Sequence, residues 1–95
     1  MQNPDTPSER HPDTAAALQF EESRDRAPRL TAKGEGELAR QMVELARMHG
    51  IEVIRDPSLA EFLKGLRTGS EIPENLYRAV SRIFAFLYSK QGHSR

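Results

Sequence analysis

Cysteine and tryptophan are absent from this 95-residue sequence, and 14 Lys and Arg side chains balance 14 Asp and Glu. Without thiols there is no disulfide framework, no cysteine nucleophile and no thiolate metal ligand, and a reducing cytoplasm is the expected compartment. A formal net charge of zero removes the bulk electrostatic attraction to phosphates, so no nucleic-acid partner is expected. No apolar run approaches the roughly 20 residues that span a bilayer, and the first residues lack a basic-then-apolar signal pattern. Direct membrane insertion is therefore not expected.

The length suits one small domain, and 37% hydrophobic against 29% charged residues allows only a modest core. Residues 1–13 carry Pro4, Pro7 and Pro12 among polar side chains, with no apolar residue after Met1. Such a segment has nothing to bury against the entropy of ordering, and a disordered arm is expected. Residues 14–89 form the expected domain, and residues 90–95 read as a flexible polar tail.

Within the domain, residues 15–20 are ambiguous. Three alanines favour helix by propensity, yet six residues without caps make a poor one, and a short strand before a loop fits as well. Residues 29–33 read as a strand ended by Gly34. Beyond it the period becomes helical: Leu38, Met42, Leu45 and Ala46 share a face, with Ala39 and Val43 beside it. Glu35 and Glu37 suit a helix N-terminus, and Gly50 is placed as the C-terminal cap residue. Residues 51–54 are β-branched at three of four positions and predict a strand, giving a βαβ unit with parallel strands. Asp56 as N-cap and Pro57 at the first helical position predict the next helix, with Leu59, Phe62, Leu63 and Leu66 as its apolar stripe and Gly69 closing it. Pro73 opens a last helix, whose buried stripe is Leu76, Val80, Ile83, Phe84 and Leu87, flanked by Tyr77 and Tyr88. The fold class is α/β: a small mixed sheet of about three to four strands packed by three main helices.

Candidate chemistry is sparse. His11, His49 and His93 share no metal-ligand spacing with one another or with carboxylates, so no metal site is expected. Lys33, Gly34, Glu35 and Gly36 sit at a strand-to-helix turn but lack the long glycine loop and the Lys-Ser/Thr ending of a phosphate loop. Their two glutamates would also repel phosphate. Ser58, Ser70, Ser81 and Ser89 lack a nucleophile-elbow context. Phe62, Phe84 and Phe86 fall at helical spacing and read as core rather than a ligand box. No catalytic residue, cofactor or enzyme activity is expected.

Several short stretches, in order and at matching distances across residues 15–88, resemble one family. They are Ala15-Ala-Ala-Leu18-Gln-Phe20, similar to the family's Ala-Val-Ala-Leu-Lys-Tyr strand; Ala27-Pro28; Ala32-Lys33-Gly34; Gly50-Ile51; Asp56-Pro57 with Leu59-Ala60; and Ile72-Pro73 with Leu76-Tyr77 and Ala79-Val80. The chain resembles the cytosolic domain of the FlhB/YscU-type switch proteins of flagellar and type III secretion export. The resemblance favours a strand at residues 15–20.

It also implies a degenerate cleavage motif. The family's Asn-Pro-Thr-His breaks its own Asn-Pro bond by attack of the Asn side chain on its backbone carbonyl. The corresponding stretch here is His11, Pro12, Asp13 and Thr14, and an imidazole cannot perform that cyclisation. Self-cleavage is not expected, and the similar Asn3-Pro4-Asp5-Thr6 lies well upstream of the first strand. Family members carry transmembrane helices, a linker and an apolar strand ahead of the motif. None is found in these residues, so the chain reads as a free-standing counterpart of the C-terminal cleavage fragment. The family's substrate-recognition patch maps onto Ala27, Pro28, Ser81 and Phe84, although Ser81 stands where a small apolar residue is expected and Phe84 is bulky.

The resulting expectation is a cytoplasmic, non-catalytic protein-binding module, peripheral to the export apparatus at the inner membrane. It would bind export-apparatus proteins and export substrates, and would supplement or compete with the full-length switch protein. Self-association by strand pairing is a further expectation. The alternative is an α/β oligomerisation or regulatory module unrelated to secretion.

Overall fold

The computed structural model describes residues 13–92. The expected arm therefore lies almost wholly outside the described residues, as do His11 and Pro12 and the end of the tail. Strand β1 (Thr14–Gln19) and strand β2 (Arg29–Glu35) are followed by helix α1 (Glu37–Met48) and helix α2 (Pro57–Lys64). A 3-10 turn (Glu74–Leu76) then leads into helix α3 (Tyr77–Gly92), which carries residues 90–92 as helix.

The sheet departs from expectation. Among the described residues it has two strands, β1 and β2, paired antiparallel, in place of the three to four anticipated. Residues 51–54 make no strand, so the parallel βαβ unit does not form. Their β-branched side chains suit a strand, but a strand also needs a hydrogen-bonding neighbour, and none of the described residues supplies one.

The pairing sets Ala15 opposite Gly34, Ala16 opposite Lys33 and Ala17 opposite Ala32, then slips so that Leu18 faces Leu30. The extra residue is Thr31, whose hydroxyl donates to the Ala17 carbonyl at 3.2 Å. The slip has a packing consequence, because side chains alternate between faces. Ala16, Leu18 and Leu30 share one face, while Ala15, Ala17, Ala32 and Gly34 share the other. The first face meets the core, where Leu30, Leu59, Leu63, Ile72, Leu76 and Val80 are buried and Ala16, Leu18, Leu66, Ile83 and Phe84 pack around them. The small-residue face receives α1.

That approach is close. A Cβ built at Gly34 would sit 2.6 Å from Leu38 Cγ and 3.0 Å from Met42 Sδ, so the glycine is what lets α1 lie against β2. β2 runs on through Gly34 to Glu35, rather than stopping at residue 33, because Ala15 and Thr14 pair with these residues. From the opposite face, Lys33 Nζ donates to the carbonyls of Lys64 at 2.9 Å and Leu66 at 2.6 Å. A cation there satisfies carbonyls that the end of α2 leaves unpaired.

The end of α1 and the start of α2 follow the sequence signals. Ile51 N–H donates to Ala46 O and Gly50 N–H to Arg47 O, with Gly50 at φ 72°, a Schellman closure of α1. Asp56 Oδ1 accepts from Leu59 N–H at 3.1 Å, and Pro57 takes the first helical position. Helix α2 ends at Lys64, earlier than Gly69 predicted, and Pro73 heads the 3-10 turn, so α3 opens at Tyr77 rather than at Pro73.

The apolar stripes are less well covered than periodicity implied. α1 buries Ala39, while Leu38 and Leu45, expected in its buried face, are 52% and 54% exposed. Phe62 and Phe86 are 62% and 53% exposed rather than core. With two strands, the sheet is too narrow to cover every apolar side chain on helices of this length.

Candidate functional site

The connection between β1 and β2 is built as a tight turn. Asp25 N–H donates to Glu21 O at 2.7 Å, and Glu21 N–H returns a bond to Asp25 Oδ2 at 2.9 Å. That backbone donor, with help from Arg24, holds the Asp25 carboxyl below its ordinary value. The chain then enters the Ala27–Pro28 corner. Ala27 is buried, and the Pro28 carbonyl accepts from Ile72 N–H at 2.9 Å. Leu30 N–H bonds to Ser70 O and Gly69 N–H to Leu30 O, so residues 69–72 cover this part of the outer edge of β2.

The four residues mapped as a binding patch have unlike surroundings. Ala27 is buried and Pro28 is half-buried. Ser81 is exposed on α3, its hydroxyl donating to Arg78 O at 3.2 Å. Phe84 is half-buried at the fringe of the core, its ring 5.6 Å from that of Phe20 and 6.4 Å from that of Tyr88. Pro28, Ser81 and part of Phe84 are therefore the members that offer surface. Of the motif positions, Asp13 is exposed and its carbonyl accepts from Gly36 N–H at 3.0 Å. Thr14 opens β1 and donates its hydroxyl to Glu61 Oε2, also at 3.0 Å.

This tether fastens β1 to α2. The Thr14 hydroxyl and then Lys64 hold the Glu61 carboxyl below its ordinary value, and Glu61 with Glu35 raises the Lys64 ammonium. These groups are solvent-exposed, so they set position more than stability.

Periodicity alone missed the exposure of several large apolar side chains. Leu38, Leu45 and Met48 on α1, Ile51 and Ile54 beyond it, and Phe62 on α2 are all exposed. Beside the end of β1, Phe20, Glu21, Glu22, Ser23 and Tyr88 line a shallow hollow that combines aromatic and acidic groups. Nearer the end of α3, Lys90 Nζ bonds Glu52 Oε2 at 3.0 Å and lies 5.5 Å from the centre of the Phe86 ring. Among the described residues no group of three or more His, Cys, Asp or Glu could hold a metal, and no helix is long and apolar enough to cross a membrane. Such a surface is suited to apolar contact with another polypeptide.

Comparison with known proteins places this arrangement. A model of the FlhB, HrpN, YscU and SpaS family matches residues 12–87. The uncharacterised protein YlqH of Bacillus subtilis is 38% identical over 74 residues, 78% of this chain and 80% of that protein. The flagellar biosynthetic protein FlhB of Aquifex aeolicus is 38% identical over 78 residues, covering 81% of this chain but only 22% of FlhB. The chain thus spans about a fifth of the length of the FlhB relative. Among solved structures, a mutated EscU/SpaS C-terminal domain superposes with a TM-score of 0.74 at 27% identity, over 77% of this chain and 91% of that domain. The PscU C-terminal domain has the same fold, with a TM-score of 0.74 at 24% identity over 78% of this chain and 95% of that domain. The family model's match over residues 12–87, with relatives at 38% identity, makes the chain a member of the FlhB/HrpN/YscU/SpaS family of flagellar and type III secretion export proteins.

Proposed function

We propose that the chain is a non-catalytic protein-binding module that works alongside the full-length export switch, supplementing it or competing with it for export substrates and apparatus proteins. The observation that carries this reading is the match to the C-terminal domains of export proteins over most of their length, combined with an apolar surface suited to protein contact. The reading places the chain in the cytoplasm, peripheral to the inner-membrane apparatus. It assigns the binding role to Pro28, Ser81 and Phe84 at the surface, with Ala27 shaping the corner beneath them.

The test is expression in trans. In a strain whose full-length switch lacks its C-terminal domain, the folded chain should restore part of substrate secretion. In an otherwise normal strain, excess chain should alter the ratio of early to late substrates in the medium. No change in either background, with the chain soluble and folded, would favour an oligomerisation or regulatory role outside secretion. That alternative draws on the same exposed apolar side chains, and defined oligomers in solution would support it.

A further inference from the structure

Helix α3 carries charge of one sign. Its 16 residues hold Arg78, Arg82 and Lys90 and no Asp or Glu, in a chain whose formal net charge is zero. The helix packs through one face, with Val80 fully buried and Ile83 and Phe84 at the fringe of the core. Its other face is exposed at Arg78, Arg82, Ala85, Phe86 and Ser89. Residues four apart are neighbours on a helix surface, so Arg78, Arg82 and Phe86 form one row about 12 Å long, which Lys90 continues.

The three cations are not equivalent. Lys90 Nζ bonds Glu52 Oε2 at 3.0 Å and lies over the Phe86 ring. Arg78 and Arg82 have no ion-pair partner among the described residues, and Glu74, one turn before Arg78, forms no bridge to it. Their placement runs against local preference. Like charges four apart on a helix repel, and a cation at the second residue of α3 opposes the helix dipole. Conflicts of this kind concentrate at functional surfaces.

Charge narrows the occupant. A second copy laying its own α3 here would bring cations against cations, with no carboxylate on either helix. A bilayer would gain little, because Phe86 is the one large apolar side chain in the row. Nucleic acid would meet two unpaired cations on a chain without net charge, too few for appreciable attraction to phosphates. Carboxylates suit the row better, since each guanidinium presents a planar fork that a carboxylate accepts through two parallel bonds.

We infer that the outer face of α3 docks an acidic helical segment of a different protein, with two carboxylates one turn apart on Arg78 and Arg82 and an apolar side chain against Phe86. The ion pairs supply selectivity and the Phe86 contact supplies buried area. The inference rests on the charge of α3 and not on the secretion reading. The two fail separately, because Arg78, Arg82 and Phe86 lie outside the Pro28, Ser81 and Phe84 set.

The experiment uses the full chain and two labelled helical peptides, one containing Glu-Ala-Ala-Ala-Glu-Ala-Ala-Ala-Leu and the other its reverse, each extended with Ala and Gln. Fluorescence anisotropy should show one-to-one binding of at least one peptide, weakening as ionic strength rises. Replacing both Glu by Gln in that peptide should weaken binding about tenfold. The double substitution Arg78→Glu and Arg82→Glu, at two exposed sites, should make a Lys version of the peptide the better ligand while circular dichroism stays unchanged. Phe86→Ala should weaken binding and keep the preference for Glu. Absence of binding by both peptides to a folded chain would overturn the inference, as would an affinity indifferent to the double substitution. Binding to phosphatidylglycerol vesicles in place of the peptides would assign the face to a membrane, and self-association lost on the double substitution would assign it to a second copy. Either result would overturn the inference equally.

Discussion

At the scale of single residues, Gly34 and His11 make opposite kinds of statement. Gly34 is required by contact: an added methyl meets Leu38 Cγ at 2.6 Å. Leu38 is half out in solvent and can yield by changing rotamer, so Gly34→Ala should cost about 1–2 kcal/mol of unfolding free energy. Pairing it with Leu38→Ala should recover part of that loss, and a double-mutant cycle in urea checks it. Strict additivity would show that the two side chains never meet. His11 matters by chemistry: it stands before Pro12 where a cyclising carboxamide would be needed. The purified chain should therefore keep its full mass for days at neutral pH, and a fragment beginning at Pro12 would refute this.

At the scale of elements, the end of α1 and the start of α2 were the most legible parts of the sequence, whereas Gly69 overshot the end of α2 and Pro73 heads a 3-10 turn. Asp56 with Pro57 and the glycine at residue 50 announced their caps because capping is local, settled by a side chain and its own turn. Gly50→Ala should cost about 1 kcal/mol through left-handed backbone strain alone, since no atom lies within 4 Å of the new methyl. Unlike the Gly34 change, it should show no coupling to Leu38. Strand pairing was far less legible. Residues 51–54 have strand composition without a neighbour, and Thr31 gave no sign that it would slip the β1–β2 register. Both depend on residues remote in sequence. The same limit applies to Leu38, Leu45 and Phe62: periodicity tells which face is apolar, whereas exposure depends on what is laid over it.

Acid should loosen two elements first. Asp25 and Glu61 have carboxyls held below their ordinary values of 3.8 and 4.5, by the Glu21 N–H and the Thr14 hydroxyl respectively. A lowered folded value means that the contact is fully present above the ordinary range and is lost as pH falls through the folded value. Amide exchange in the Glu21–Asp25 turn and at the start of β1 should rise on acidification before the core around Leu30 and Val80 responds. Thr14→Ala should remove that acid response at β1 while sparing the turn.

At the scale of the whole molecule, the family and the mixed α/β class could be read from the sequence, since ordered short stretches carry them, whereas a sheet of three to four strands was not found among the described residues. The binding patch could be read only as positions. Ala27 is buried and Phe84 leans into the core, so folding divides the four mapped residues between surface and support. The chain has exposed apolar side chains and the fold of an export C-terminal domain, and under the proposed function it docks where the full-length switch docks. Competition tests this docking most directly: a labelled C-terminal domain of a full-length FlhB, bound to detergent-solubilised export apparatus, is titrated with this chain. Displacement at concentrations within about tenfold of the unlabelled domain itself is the predicted result, and a folded chain that leaves the labelled domain fully bound would contradict it.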